Sequence, residues 1–300
     1  MTTATFQHID TSSYEGKPWS KVDGPGKSYI DRPHQRTVSS LRGRETDFSL
    51  NANGFAIIHS PAIEKLFASD EAVRGGYYGE VEALIRKHIP ERLKKVEIFD
   101  HTVRRRQANS PRQPVQQVHV DQTAAAAAAR VRRHLPLEAE ELLGSGGGRY
   151  AIINVWRPIE YAAVDVPLAV VDWKTTDRDD YVAVDLLYPK RAGGAAEDED
   201  DRGKEKLPDP ETNDSVDGYE PRGEHFQVAP NESHRFYFQK DMTPEEALLI
   251  KCYDSFGHGE PRGVEGLAVR TPHSAFRDGD APENALPRQS IEVRCLVFYE

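Results

Sequence analysis

The C-terminal segment of the chain constrains the fold most strongly. Residues 288–300 are rich in Ile, Val, Leu, Phe and Tyr and follow a proline, a composition that predicts one long β-strand. Alternation along a strand separates the polar side chains of Arg288, Ser290, Glu292 and Arg294 from the apolar ones of Ile291, Val293, Cys295 and Val297. Charged groups on one face of an apolar strand are costly unless polar partners meet them. The segment therefore predicts a strand with one face in an apolar core and the other against a polar site.

Strand-like segments recur along the rest of the chain. They are rich in β-branched and aromatic residues and lie at 54–58, 96–99, 150–157, 168–173, 182–188, 236–238 and 248–253. Helices are predicted at residues 62–67, 79–89 and 123–134. Many strands with few helices predict a mainly β fold with flanking helices, built on a double-stranded β-helix core of the jelly-roll, cupin-like type.

Composition predicts how the chain is organised. Residues 1–44 are rich in Gly, Pro, Ser and Lys, which predicts an extended N-terminal arm with little regular structure. Residues 45–300 then form a single domain. Within it, residues 190–222 predict a mobile acidic insert, because so polar a segment cannot bury enough apolar surface to offset the entropy of ordering.

Charge and hydropathy argue against nucleic-acid and membrane partners. The formal net charge is −10, and residues 197–222 supply −7 of it through eleven acidic and four basic residues. The near-neutral remainder lacks the basic stripe that nucleic-acid binding needs. The chain has no apolar run long enough to span a bilayer, and its polar start is unlike a signal peptide. Cys252 and Cys295 lie in apolar surroundings typical of free thiols, so we expect a cytoplasmic protein, either a monomer or a homodimer.

A candidate metal-binding motif, His119-Val120-Asp121, ends an apolar stretch. On a strand, residues i and i+2 point to the same side, so this segment can present both polar side chains to one ion. Chance matches are expected in a chain with eleven histidines, and His8-Ile9-Asp10, in a polar segment, is one of them. The alternative is a histidine and an aspartate on a barrel rim that bond only to each other.

Spacing alone does not identify the second histidine of such a site, because His225, His234 and His258 compete with His273. His273 is preferred, because residues 267–271 predict a strand leading into it and because it lies one loop before the arginine-bearing strand. This arrangement puts the metal ligands and the arginines on neighbouring strands. Two imidazoles and one carboxylate are the ligand set that holds ferrous iron on one face and leaves the other face open.

Arg288 and Arg294 suit a dicarboxylate cosubstrate. A guanidinium group grips a carboxylate through two parallel hydrogen bonds, and the Ser290 hydroxyl can add a third. The alternative for Arg294 is an internal ion pair with Glu292, because buried charges are usually paired. Together with the histidines and the aspartate, the arginines indicate an iron(II)/2-oxoglutarate-dependent oxygenase.

The chain also resembles a known family along most of its length. Arg288-Gln289-Ser290, after a metal-ligand histidine, is similar to the cosubstrate signature of the isopenicillin N synthase group. More closely, the chain resembles the AsaB-type hydroxylase/desaturase family of Fe(II)/2-oxoglutarate-dependent oxygenases. The segments that carry this resemblance are Phe99 to Arg104, Val118 to Thr123, Ile152 to Pro158, His234 to Tyr237, Lys251 to Ser255, Thr271 to Phe276 and Ser290 to Arg294.

The resemblance implies two sets of site residues. The metal ligands are His119, Asp121 and His273. The cosubstrate-binding residues are Arg288, Ser290 and Arg294. From their own sequence context, Arg157, Trp156 and His234 are candidates for contact with substrate or cosubstrate, and the alternative is a structural role, with Trp156 in the core and Arg157 stacked or paired.

The resemblance further implies Fe(II) as the metal, 2-oxoglutarate as cosubstrate and O2 as oxidant. The expected reaction is hydroxylation or desaturation of a small-molecule secondary metabolite, with release of succinate and CO2. Two alternatives stay open at this point. One is a cupin-like metalloenzyme that does not use 2-oxoglutarate and in which the arginines are dispensable for turnover. The other is a non-catalytic partner subunit of a biosynthetic complex.

Overall fold

The structure, a computed structural model, describes residues 1–22, 24–106, 113–144, 146–190 and 213–300. These residues form two β-sheets that face each other across an apolar core. In spatial order, the nine-stranded sheet contains β1 (Thr2–Ile9), β3 (Asp31–Ser40), β11 (Phe236–Phe238), β8 (Leu168–Val171), β13 (His273–Ala275), β6 (His119–Val120), β10 (Tyr219–Val228), β9 (Tyr181–Pro189) and β2 (Trp19–Lys21). The five-stranded sheet contains β4 (Phe55–His59), β12 (Glu246–Asp254), β7 (Tyr150–Pro158), β14 (Gln289–Tyr299) and β5 (Leu93–Arg105).

The five-stranded sheet has both of its faces covered. Every residue of β7 and of β12 is buried. Alternation along β7 sends Ile152 and Trp156 into the core between the sheets, whereas Ile153 and Val155 pack on the opposite face. β14 lies between β7 and β5 and is antiparallel to both, so its polar face points into the space between the two sheets.

Helices close the outer side and one end of this sandwich. The α-helices are α1 (Asp70–Ala72), α2 (Tyr78–His88), α3 (Ala124–His134) and α4 (Ala139–Leu143), with a π-helical turn at Val73–Tyr77 between the first two and short 3-10 turns at Glu45–Asp47, Trp173–Thr175 and Arg178–Asp180. α2 packs on the outer face of the five-stranded sheet through Val81, Leu84 and Ile85, which helical spacing places on one side. α3 begins at Thr123, whose hydroxyl accepts a hydrogen bond from the Ala126 amide.

Several sequence predictions are confirmed. Two facing sheets with flanking helices are the mainly β, double-stranded β-helix architecture that the strand pattern predicts. The helices predicted at 79–89 and 123–134 are present as α2 and α3. The two cysteines are buried free thiols.

The expectation of little regular structure in residues 1–44 is wrong. β1 and β3 pair antiparallel from Thr2–Val38 to Ile9–Asp31 and extend the nine-stranded sheet. Thr2, Ala4 and Phe6 are buried on one face of β1, whereas Thr3 and Thr5, which lie between them, are exposed. Buried and exposed residues alternate along the strand, but its many threonines make the sequence resemble a polar segment. The domain boundary at residue 44 stays a prediction.

Two local predictions are also wrong. Residues 62–67 form no helix, because the Leu66 and Phe67 amides donate to the Glu64 carboxylate and Phe67 has a φ of +48°. Residues 267–271 form no strand, and β13 begins only at His273. β13 and β14 belong to different sheets, so the metal ligands and the arginines lie on facing sheets rather than on neighbouring strands.

The predicted acidic insert at 190–222 can be assessed only at its ends. Residues 191–212 lie outside the described residues. The last part of the segment is not loop, because β10 begins at Tyr219 and pairs with β9.

Candidate metal centre

The structure brings His119, Asp121 and His273 together in the space between the two sheets. His119 and His273 are direct partners across the antiparallel pair of β6 and β13, and Asp121 immediately follows β6. One ligand atom from each residue lies within 4.8 Å of the others. The Oδ1 atom of Asp121 is 3.4 Å from Nε2 of His119 and 3.7 Å from Nε2 of His273. Residues 152 positions apart in sequence thus present two imidazoles and one carboxylate to a common point.

Backbone carbonyls orient both imidazoles. His119 Nδ1 lies 2.8 Å from the carbonyl oxygen of Gln117, and His273 Nδ1 lies 3.1 Å from that of Thr271. Each carbonyl accepts the Nδ1 hydrogen, which leaves the Nε2 lone pair of each ring directed at the carboxylate. Metal-ligating histidines usually have such a hydrogen bond, because it fixes the tautomer and the ring orientation.

A close backbone approach holds Thr271 in place. Its hydroxyl donates to the carbonyl oxygen of Gly54 over 2.6 Å. Gly54 has a φ of +88°, and a Cβ atom there would come within 2.2 Å of the Thr271 hydroxyl oxygen. Glycine is required at this position for both reasons. The contact links β4 to the loop that positions His273.

The second oxygen of Asp121 is bound by the opposite sheet. Oδ2 accepts a hydrogen bond of 2.8 Å from Nδ2 of Asn154 on β7 and one of 3.1 Å from Nε of Arg294 on β14. Asn154 also donates to the carboxylate of Glu292. The carboxylate of Asp121 therefore has one oxygen held by two donors and the other facing the two imidazoles.

Electrostatics keep the ligands in the forms that metal binding requires. Burial alone would raise the pKa of Asp121, but the Arg294 guanidinium, together with the nearby His119 and His273, outweighs burial and holds that pKa well below its usual range. Burial and the neighbouring His119 lower the pKa of His273 to about 4. An ionised carboxylate and a neutral imidazole are the metal-binding states, so the donor set fits a divalent transition metal ion.

Arg288 has a very different environment from Arg294. It immediately precedes β14, is 2% exposed, and donates from Nη1 to the carbonyl oxygen of Val166 over 2.9 Å. Its guanidinium lies 5.5 Å from the Trp156 ring, and its Nε has no hydrogen-bond partner. In the described part of the chain, no carboxylate forms an ion pair with it. Burial, with repulsion from Arg104, lowers its pKa to about 9.

The three candidates for substrate or cosubstrate contact lie in different places. Trp156 faces the core between the sheets, directly across the strand pair from Glu292. Arg157 points to the other face of β7, where it donates to the carbonyl oxygens of Ser60 and Pro244 and lies over the Tyr77 ring. His234 lies before β11 and bonds to the Asp180 carboxylate over 2.9 Å. Arg157 and His234 are therefore not grouped with the metal ligands.

Sequence reasoning missed Asn154 and gave too little weight to β10. Asn154 stands in the apolar strand Ile152-Ile153-Asn154-Val155, where a buried amide is itself a signal of a polar partner. On β10, Gln227 is the direct partner of His119, so Gln227 and His225 point to the same side as that ligand. Burial lowers the pKa of His225 to about 4, which keeps this histidine neutral beside the site.

Comparisons with known proteins agree with this geometry. A family model described as Oxidoreductase/YMDC permease-like domain matches residues 5–298. Hydroxylase/desaturase poxK of Penicillium oxalicum is 32% identical over 98% of this chain and 86% of its own length. The chain belongs to the hydroxylase/desaturase family. Within this family, the Fe(II)/2-oxoglutarate-dependent dioxygenase nvfI of Aspergillus novofumigatus is 32% identical over 98% of this chain and 94% of its own length.

A solved structure shows the same fold. The iron and alpha-ketoglutarate-dependent endoperoxidase NvfI aligns with 99% of this chain and 97% of its own, with a TM-score of 0.75 and 25% sequence identity. The two proteins thus share one fold over nearly the whole length of both chains. Within the described residues, no helix is both long enough and apolar enough to cross a bilayer.

Proposed function

We propose that this protein is an Fe(II)/2-oxoglutarate-dependent oxygenase that hydroxylates or desaturates a small organic molecule, with release of succinate and CO2. The observation that carries the proposal is the convergence of His119, Asp121 and His273 on one point. Arg288, a buried arginine that forms no ion pair within the described residues, adds to it. Family membership supports it, because related proteins are named for this cofactor and this chemistry.

His119, Asp121 and His273 would hold the iron. Their Nε2 atoms and one carboxylate oxygen form a set of three ligands, which leaves further coordination positions for cosubstrate and oxygen. When bound, iron with 2-oxoglutarate and O2 supplies the oxidising power for an unactivated C–H bond. The protein's part is to fix the ligands, anchor the cosubstrate and exclude bulk water.

Arg288 and Ser290 would anchor the far carboxylate of 2-oxoglutarate. A buried guanidinium group without an anionic partner is costly, and a bound carboxylate would remove that cost. Ser290 is buried and follows Arg288 by two residues on the same face, so its hydroxyl can donate to the same carboxylate. The Trp156 ring beside the guanidinium excludes water from one side of this ion pair.

The surroundings of the site favour a largely apolar small molecule. Val170 is the direct strand partner of His273, and Leu168 and Trp156 line the same core. Such apolar surroundings would keep bulk water away from the reacting groups. The chain's near-neutral body and its two free buried cysteines support a cytoplasmic enzyme without a nucleic-acid or membrane partner, acting as a monomer or a homodimer.

An anaerobic titration tests the proposal. Purified protein receives Fe(II) and then 2-oxoglutarate, and the visible absorption is recorded after each addition. We expect a weak charge-transfer band that appears only with both, because the keto acid chelates the bound iron. His119→Ala, Asp121→Ala and His273→Ala should abolish the band, and His258→Ala, in an exposed loop, should not.

Two outcomes contradict the proposal. Iron binding without any response to 2-oxoglutarate would indicate a cupin-like metalloenzyme that uses no such cosubstrate. A well-folded protein that binds no iron would indicate a non-catalytic partner subunit.

A further inference from the structure

We propose that Arg294 and Asn154 are positioning residues for the metal ligand Asp121, and that Arg294 does not bind the cosubstrate. This inference rests on the proposed function, because it assigns a role to residues around the same site. It also separates two arginines that stand six positions apart on one face of one strand.

The contacts of Asp121 divide its two oxygens. Oδ1 lies 3.4 and 3.7 Å from the Nε2 atoms of His119 and His273. Oδ2 accepts hydrogen bonds from Asn154 and Arg294 on the opposite sheet. With both donors in place, Oδ2 is turned away from the imidazoles and only Oδ1 is presented to a metal.

The donors of Arg294 are already committed. Nε donates to Asp121, and Nη1 donates to the Thr102 hydroxyl over 3.0 Å. Nη1 lies 3.5 Å from the Asp100 carboxylate, and Nη2 lies 3.7 Å from that of Glu292. A guanidinium group has five N–H donors in a fixed planar fork, and this one faces three carboxylates. A fourth carboxylate, from the cosubstrate, would meet repulsion there instead of a free donor pair.

Asn154 completes the support from the neighbouring strand. It is the direct partner of Arg294 across β7 and β14, and it is fully buried. Its Nδ2 donates to both Asp121 and Glu292, while Oδ1 has no hydrogen-bond partner. The amide orientation follows from its neighbours, because both facing groups are carboxylates that only accept hydrogen bonds.

A fixed single-oxygen contact matters for this chemistry. An aspartate that bound through both oxygens would take a coordination position needed by 2-oxoglutarate or oxygen. Partners that orient a metal ligand typically change metal affinity by about 10- to 100-fold when they are removed. We therefore expect Arg294 and Asn154 to act on metal affinity, and Arg288 to act on cosubstrate affinity.

The test measures the two affinities separately. Co(II) binding is titrated anaerobically against a competing chromophoric chelator, and 2-oxoglutarate binding is then measured at saturating metal. We expect Arg294→Met and Asn154→Ala each to weaken Co(II) binding by about 10- to 100-fold. Arg288→Met, matched in size and charge change to Arg294→Met, should leave the Co(II) affinity within about threefold and lose cosubstrate binding instead.

Controls separate a local effect from misfolding. Arg294→Lys retains the charge without the planar fork and should recover part of the metal affinity. Asn154→Ala leaves all charges in place, so it stays informative if Arg294→Met does not fold. Wild-type Co(II) affinity in both Arg294→Met and Asn154→Ala would overturn this inference and leave the proposed function intact. Absence of metal binding by the wild-type protein would overturn the proposed function itself.

Discussion

Two arginines on one side of the same segment, Arg288 just before β14 and Arg294 in the middle of β14, have different surroundings. At Arg294, the guanidinium lies among the carboxylates of Asp121, Glu292 and Asp100. At Arg288, it meets a backbone carbonyl and an indole ring, and within the described residues it forms no ion pair. Positions of the same parity thus carry one cation surrounded by carboxylates and one that forms no ion pair within the described residues.

The comparison shows that residues on the neighbouring strands determine whether an arginine in the protein interior is already paired. Arg294 lies opposite Asn154 on one side and Asp100 on the other, and it reaches Asp121 from the facing sheet. Arg288 precedes the paired part of β14 and lies beside residues 165–166. Arg294 is held by protein groups, whereas under the proposed function Arg288 receives the cosubstrate.

The largest expected effect is on the stability of the metal-free protein when the saturated arginine is removed. Arg294→Met leaves three carboxylates without their common cation, and breaking a buried ion pair in this way costs about 3–5 kcal/mol. Chemical denaturation at neutral pH without metal would measure the loss. The control is Arg86→Met, which removes an exposed pair with Glu82 on α2 and an exposed hydrogen bond to the Leu93 carbonyl. A loss no larger than the control's would show that Arg294 is not structurally committed.

The next effect is on cosubstrate binding. Arg288→Met should weaken 2-oxoglutarate binding by roughly 100-fold, because a buried charge pair is worth about 2–5 kcal/mol when one partner is truncated. Isothermal titration of the metal-loaded protein would measure this change. If Arg288→Met kept its 2-oxoglutarate affinity and Arg294→Met lost it, Arg294 would be the cosubstrate-binding arginine.

The third, smaller effect concerns pH: the loss in unfolding free energy caused by Arg294→Met should depend on it. In the wild-type protein the pKa of Asp121 is depressed, mainly by Arg294 acting against burial, so its stabilising contribution is present above the unfolded pKa and lost as the pH falls. The variant lacks that contribution at neutral pH. The difference in unfolding free energy between the two proteins should therefore shrink by about 1–2 kcal/mol as the pH falls from about 4 to about 2, below the unfolded pKa of an aspartate. A constant difference in denaturant titrations across this range would contradict the assignment.

The smallest effect is an increase in the free energy of unfolding rather than a decrease. Without ligands, Arg288→Met should stabilise the protein by about 1 kcal/mol, because it replaces a buried cation that lacks an ionic partner with an apolar side chain of similar length. In the metal-loaded proteins, added 2-oxoglutarate should stabilise the wild-type protein more than the variant. Thermal melts of the ligand-free proteins, and of the metal-loaded proteins with and without 2-oxoglutarate, would detect this crossing. Destabilisation of the ligand-free variant would indicate that Arg288 is primarily structural.

Much of the site was predictable from local sequence patterns. His119 and Asp121 share a side by alternation, and the polar face of β14 follows from its own residues. The role of Arg294 was not predictable, because Asp100, Asn154 and Asp121 are brought to it by the pairing register of separate strands. The sequence left its ion pair with Glu292 as an alternative, and the structure contains that pair.

Other errors have equally local causes. Arg157 could have been separated from Trp156 by parity alone, because adjacent strand residues point to opposite faces and Asn154 fixes which face is polar. The N-terminal strands were missed because their buried residues alternate with threonines. The apolar residues before His273 are typical of a strand, but the segment forms none. Its backbone instead orients the metal ligand, because the Thr271 carbonyl bonds to the His273 ring.

The central claim is that Arg288, and not Arg294, receives the far carboxylate of 2-oxoglutarate beside an iron held by His119, Asp121 and His273. An anaerobic crystal structure with Fe(II) and 2-oxoglutarate bound tests it most directly. The account predicts that this carboxylate forms a two-point contact with the Arg288 guanidinium, while Arg294 keeps its hydrogen bond to Oδ2 of Asp121. A cosubstrate carboxylate bound to Arg294, with Asp121 released from it, would contradict the account.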